Sequence, residues 1–262
     1  MNIQDKVILI TGGASGLGLA AGRYLAQHKG ARIAVLDRDA AAGERAVADI
    51  GEGQAMFVAA DVANEEQVRD ALAAVVQRFG TVHVCINGAA VPNAFRILDK
   101  TGQPAPLARF AQATAVNVNG VFNVMAQCAA QMTRNAPEGG EQGGEERGVV
   151  INISSGAAYE GQIGQCAYAA SKAALLGLNM PAARELGAFG IRVNAIAPGL
   201  FLTPMVAGMP EAALRSLQEQ MQAPPRLGRL EEFAHCCAFV IESSYLNAHT
   251  IRLDGAARMR AR

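Results

Sequence analysis

The chain has no excess of charge: 23 Lys and Arg offset 23 Asp and Glu across 262 residues. That balance gives no electrostatic case for nucleic acid or an anionic membrane as partner. No apolar run is long enough to span a bilayer. Met1 to Lys6 lack the basic and apolar regions of a signal peptide and lead straight into a strand-like run. Five cysteines are present, an odd number, and none forms a Cys-x-x-Cys pair. A reduced, cytoplasmic compartment is expected, with adjacent Cys236 and Cys237 packing as small hydrophobes. The four histidines are scattered without ligand spacing, so no metal is expected. No linker divides the chain and no repeat is visible, so residues 1–262 are expected to form one domain. The one basic cluster, Arg258 to Arg262, is expected to be a solvated terminus.

What is present is apolar and periodic, with 51% hydrophobic residues. Strand-like runs rich in Val and Ile occur at Val7–Ile10, Arg32–Leu36, Ala55–Val58, Val82–Ile86, Val149–Ile153, Arg192–Ala195 and Thr250–Leu253. They show little alternation, as expected of strands buried on both faces. Helical stretches such as Glu65–Phe79 and Tyr168–Leu186 lie between them. The expected fold is therefore α/β: a Rossmann-like, doubly wound parallel sheet with helices on both faces. Polar, glycine-rich Asn135–Gly148 precedes a strand and is expected to be a flexible loop away from the ligand crevice. Val91–Leu107 follows a strand and is expected beside that crevice.

The turn Thr11-Gly12-Gly13-Ala14-Ser15-Gly16-Leu17-Gly18 follows the first strand and opens a helix. Backbone N–H groups at a helix start suit a pyrophosphate. Gly12 permits the tight turn, Gly16 permits close cofactor approach, and Gly18 permits close helix packing. Asp37 ends the second strand, where a carboxylate can bind adenosine ribose hydroxyls and repel a 2′-phosphate. That favours NAD, although the adjacent Arg38 can assist NADP. Asp61 and Val62 end the third strand, where an adenine would lie. Asp61 can instead cap the next helix.

Tyr168 and Lys172 are four residues apart, and Ser155 lies upstream. Oxidising an alcohol needs a base for the hydroxyl proton. A phenol is a poor base at neutral pH unless a nearby ammonium stabilises its phenolate. Positions i and i+4 share a helix face, so Tyr168 and Lys172 fit base and activator, and Lys172 can also reach a nicotinamide ribose. Ser155 can hydrogen-bond the substrate oxygen. Asn117 can hold a water linking Lys172 to solvent.

With these residues, nearly the whole chain resembles the short-chain dehydrogenase/reductase family. The resemblance rests on Thr11 to Gly18, Asp61-Val62, Asn87 to Ala90, Asn117, Ser155, Tyr168, Lys172, and Pro198-Gly199 with Thr203. It implies an Asn-Ser-Tyr-Lys tetrad. It also implies a cofactor site that includes Gly12, Ser15, Gly16, Leu17, Gly18, Asp37, Asp61, Val62, Asn87, Ala89, Tyr168, Lys172, Pro198, Gly199 and Thr203. Gly161 to Gln165, Ile196 to Phe201 and Ile251 to Met259 resemble the type II 3-hydroxyacyl-CoA dehydrogenase subfamily, also known as 17β-hydroxysteroid dehydrogenase type 10. This implies NAD as cofactor, an acyl-CoA substrate, a homotetramer and, for Val91–Leu107, a loop near the CoA. Arg96, Lys100 and Arg109 are expected to include a CoA phosphate contact, and Leu200–Pro225 to form a mobile substrate lid. Mammalian members are mitochondrial, but no transit peptide is visible here. In one departure, Ala90 stands where the family has glycine, which bears on cofactor affinity rather than reaction class. A hydroxysteroid or other secondary alcohol, a 3-oxoacyl-carrier-protein thioester, and a non-catalytic nucleotide sensor are the alternatives.

Overall fold

The computed structural model describes residues 1–139 and 145–259. Seven parallel strands form one sheet: β1 Val7–Thr11, β2 Arg32–Asp37, β3 Ala55–Ala59, β4 Val84–Asn87, β5 Gly148–Ile153, β6 Ile191–Pro198 and β7 Thr250–Leu253. Their spatial order is β3-β2-β1-β4-β5-β6-β7. The order reverses between β1 and β4, and this switch point opens a crevice at the carboxyl ends of those strands.

Successive side chains explain the continuous apolar runs. Ile8, Ile10, Ile33, Val35, Val149 and Ile151 enter one core, beneath α1 (Gly16–Lys29), α2 (Ala40–Ile50) and α9 (Leu230–Glu242). Val7, Leu9, Ala34, Leu36 and Val150 enter the other. There they meet α3 (Glu65–Phe79), α5 (Val121–Met132) and α6 (Cys166–Gly187). Both sheet faces are covered, so neither can carry a polar alternation.

The helix caps follow local chemistry. Asn64 begins α3 by accepting the Gln67 N–H, with Glu65 and Glu66 in the first turn. Asp61 is not that cap: its carboxylate accepts the Ala63 N–H within the preceding turn. α4 (Leu107–Thr114) runs into α5 through a π-helical stretch, Ala115–Gly120. Such wide turns often mark functional positions, and this one carries Asn117.

Glu138 and Glu146 pair across the ends of the glycine-rich segment at the amino end of the sheet. The expected flexible loop also includes 140–144, which lie outside the described residues. β6 is followed by α7 (Pro204–Ala207) and α8 (Glu211–Gln218), which lie within the expected lid. Arg258, where the basic tail begins, is exposed and ion-pairs with Glu160 and Asp254. Residues 260–262 lie outside the described set.

Candidate active site

Thr11 ends β1, and its hydroxyl accepts N–H groups from Gly88 and Ala89, each at 3.1 Å. The glycine turn is thereby docked on the loop after β4. Gly12 has φ +65°, and a Cβ there would lie 2.8 Å from the Ala89 nitrogen. A Cβ on Gly18 would lie 2.3 Å from the Gly12 oxygen. Gly16 differs: at φ +53° it faces space, and its nearest neighbour would be the Thr203 methyl at 3.9 Å. Ser15 precedes α1 without capping it through its side chain. The first N–H groups of α1 therefore lack that partner, and the helix dipole favours an anion there.

A cleft of about 510 Å³ opens in front of this turn. Gly12, Ser15, Gly16, Leu17, Gly18, Asp37, Asp61, Val62, Ala89, Tyr168 and Thr203 line it, as do Arg38, Val91, Pro92 and Val116. Asp37 accepts the Ala14 N–H at 3.4 Å and the Arg38 N–H at 2.7 Å. Its carboxylate is thus turned toward the glycine loop. Four expected cofactor residues, Asn87, Lys172, Pro198 and Gly199, stand behind the wall rather than in it. Asn87 is buried and donates to Asn152 Oδ1 at 2.9 Å. Pro198 ends β6, and Gly199 packs against Asp254, whose Cβ would lie 2.7 Å from an added one. Ala90 is exposed, with no left-handed backbone that would require glycine.

Ser155 precedes a 3₁₀ turn, Gly156–Ala158, and accepts the Ala157 N–H at 3.1 Å. The Tyr168 phenol faces Ser155. Burial pushes it above its ordinary range, and the Ser155 hydroxyl opposes that shift. The ammonium four residues on is expected to lower the phenol, whereas burial sets the direction of its shift. Lys172 lies with Nζ 5.9 Å from the Tyr168 ring centre. It is buried and donates to the Ile153 carbonyl at 2.7 Å. Burial lowers its pKa to about 8. Ser154 returns the contact, donating to the Lys172 carbonyl at 2.8 Å. This clamp between β5 and α6 was missed, because a serine beside Ser155 carries no separate sequence signal.

Asn117 is buried and committed to other partners. Its Oδ1 accepts the Val91 N–H at 2.8 Å, and Nδ2 donates to the Val91 carbonyl and to Ser171 Oγ. Ser171 donates to the Tyr168 carbonyl. The amide therefore joins the start of Val91–Leu107 to the tyrosine helix.

The expected segment lies where the topology put it, as Phe95 N donates to the Gly164 carbonyl at 2.7 Å. Arg109 donates to the Ala94 carbonyl and stacks its guanidinium 4.5 Å over Phe95. Arg96 and Lys100 are exposed. In the expected lid, Phe201 and Met221 are buried, Phe201 packing edge-on against Phe233, while Met209 is exposed.

A family model described as short chain dehydrogenase matches residues 6–213. The chain belongs to the short-chain dehydrogenase family. It is an oxidoreductase of that family, and its redox partner is a nicotinamide cofactor. The 3-hydroxyacyl-CoA dehydrogenase type-2 of Homo sapiens is 43% identical over 259 residues, 98% of this chain and 97% of its own. The ipsdienol dehydrogenase of Ips pini is 34% identical, covering 98% of this chain and 99% of its own. The crystal structure of 3-hydroxyacyl-CoA dehydrogenase type-2 from Mycobacterium avium superposes with a TM-score of 0.89 at 36% identity, covering 98% of this chain and 97% of that one. The residues present fit a dinucleotide: Gly16 leaves open the space that a side chain would fill, and unshielded helix N–H groups border it. Among the described residues no helix is long and apolar enough to cross a membrane.

Proposed function

We propose that this chain is an NAD-dependent dehydrogenase interconverting 3-hydroxyacyl-CoA and 3-oxoacyl-CoA. The observation that carries the reading is the grouping of Ser155, Tyr168 and buried Lys172, with Tyr168 lining the glycine-bordered cleft. Tyr168 is the acid/base. Its raised pKa keeps it protonated at rest, ready to donate to a ketone oxygen, and oxidation of an alcohol is favoured as pH rises. Ser155 orients the substrate oxygen against the phenol. The Lys172 ammonium favours phenolate as the proton leaves and reaches the ribose beside the reacting carbon. Asn117 acts by holding Val91 and Ser171, hence the cleft entrance and the tyrosine helix. The nicotinamide supplies the hydride acceptor when bound.

Gly12, Ser15, Gly16, Leu17 and Gly18 hold the pyrophosphate, with Thr203 across from Gly16. Asp37 takes the adenosine ribose and sets the preference for NAD. Asp61 and Val62 flank the adenine. Ala89 supports the nicotinamide half, while Asn87, Pro198 and Gly199 back it. Leu200–Pro225 closes over substrate. The likeness to the type-2 enzymes supports a CoA thioester and a homotetramer, and the unpaired cysteines support a reduced, cytoplasmic setting.

The test is kcat/KM for short 3-hydroxyacyl-CoAs, hydroxysteroids and simple secondary alcohols with NAD and NADP, for the parent chain and for Asp37→Asn. A preference for NAD and a CoA thioester is expected, with Asp37→Asn shifting the cofactor ratio toward NADP. Parent preference for NADP would mean that Arg38 decides the cofactor. Equal use of a small uncharged alcohol would remove the CoA assignment.

A further inference from the structure

The loop that carries Ser155 does not end at the 3₁₀ turn. Its next two residues, Tyr159 and Glu160, meet three charges far from them in sequence. Arg252, on β7, stacks its guanidinium 4.7 Å over the Tyr159 ring and pairs with Glu160 at 3.2 Å. The same guanidinium pairs with Asp254 at 2.6 Å. Arg258 reaches Glu160 at 3.3 Å and Asp254 at 3.5 Å. The other Glu160 oxygen accepts the Met259 N–H at 3.2 Å.

Two carboxylates thus meet two guanidiniums, and Glu160 is the member borne by the serine loop. The enclosed space between this loop and the tail is only about 10 Å³. That is at the lower limit for one water, which needs about 10–15 Å³, so the parts touch directly. Asp254 also packs against Gly199, and Gly255 accepts N–H groups from Gln222 and Ala223. The serine loop, the exit of β6 and the far end of the expected lid therefore share one anchor.

Partly exposed ion pairs add little to stability as a rule. Glu160 and Arg252 keep side-chain exposures of 27% and 25%. A network of this cost and connectivity, five residues from Ser155, is better suited to fixing a position than to holding the fold. Resting on Ser155 as a catalytic residue, we infer that Glu160 is a positioning residue. Clasped by Arg252 and the Arg258–Met259 tail, it sets the placement of the Ser155 hydroxyl against Tyr168. A displacement of about 1 Å can cost on the order of 10²-fold in rate, so a loosened clasp is read in turnover.

The test is a double-mutant cycle on the full chain, with Glu160→Gln placed in the parent and in Ser155→Ala. The readouts are kcat, KM for both substrates, cofactor affinity and thermal midpoint. Glu160→Gln is expected to lower kcat by about 10- to 100-fold, with cofactor affinity and melting nearly unchanged. In the Ser155→Ala background the further loss should be under about threefold, because the group it positions is gone. Glu160→Asp should restore part of the loss. Arg258→Ala, at the exposed rim, should lower kcat less and show the same non-additivity. It carries the test should Glu160→Gln fail to fold. Equal fold losses in both backgrounds would overturn the clasp and leave the role of Ser155 standing. Full turnover by Ser155→Ala would overturn both.

Discussion

The two ends of the sheet treat buried charge in opposite ways. At the amino end, Arg192 on β6 is buried and makes four side-chain hydrogen bonds and an ion pair. Nε and one terminal nitrogen meet Glu146 at 2.9 and 2.8 Å, and the carbonyls of Val240, Ile241 and Leu246 take the rest. The Met1 ammonium closes on the other Glu146 oxygen at 2.9 Å. At the carboxyl end, Lys172 is as deeply buried but meets one carbonyl. Among the described residues no carboxylate pairs with it, and its pKa falls to about 8. Nearby on β5, Asn152 Nδ2 is buried without a partner. A buried charge paired and fully hydrogen-bonded serves the fold. One left under-satisfied beside a cleft is held at a cost, and perturbed groups of that kind mark chemistry.

The contrast is sharpened most by Tyr168→Phe. Removing only the hydroxyl should lower turnover by at least ~10²–10⁴-fold, with melting and cofactor binding retained. A well-folded variant that kept most of its activity would show that the carboxyl end is merely a poorly satisfied core. At the other end, Arg192→Met should cost about 3–5 kcal/mol in denaturant unfolding, because Glu146 loses one of its two buried partners and three backbone carbonyls lose their donor. Turnover per folded molecule should not change. A loss below about 1 kcal/mol would break the comparison from that side.

Lys172→Met should do the reverse of Arg192→Met, and pH supplies the sign. The folded-state pKa, about 8, lies below the ordinary value of 10.5. Below pH 8 the lysine is charged in both states, and the folded state bears the whole cost of burying it. Between about pH 8 and 10.5 the folded chain binds fewer protons than the unfolded one, so parent stability rises with pH. Lys172→Met should therefore be more stable at pH 7 by on the order of 1–3 kcal/mol, allowing for the lost bond to Ile153, while turnover collapses. The stability gap should close as pH approaches 10.5. A gap independent of pH would mean that the ammonium is better solvated than its surroundings suggest.

The sequence made the sheet legible because its physical cause is local. Strands buried on both faces must be runs of Val and Ile, and α3 falls on the expected Glu65–Phe79. The glycine turn was legible for the same reason, since backbone conformation selects glycine residue by residue. What escaped depends on distance through the fold. The i, i+4 spacing placed Tyr168 and Lys172 together, but only the packed chain shows that burial drives the phenol up. Asn117 looked available for water, yet its partners Val91 and Ser171 lie 26 and 54 residues away. Glu160 and Arg252 are separated by 92 positions, and nothing local in either segment points to the other.

The smallest expected effect concerns charges at the carboxyl end that have no internal work to do. Arg96 and Lys100 are exposed on the segment after β4, and among the described residues neither forms an ion pair. Arg109 is exposed as well, but its guanidinium covers Phe95 and holds the Ala94 carbonyl. Replacing Arg96 or Lys100 with Gln should raise KM for a CoA thioester by about two- to fivefold, the scale of one exposed ionic contact, and more at low salt. Turnover of a small uncharged alcohol should stay level. Arg109→Gln should instead affect both substrates alike, since Phe95 and the Gly164 contact next to the tyrosine helix would loosen. If all three variants behave as Arg109→Gln does, the segment shapes the cleft and does not read a charged carrier. Unpaired charge at this end would then be ordinary surface, leaving Lys172 as the one charge that sets the two ends apart.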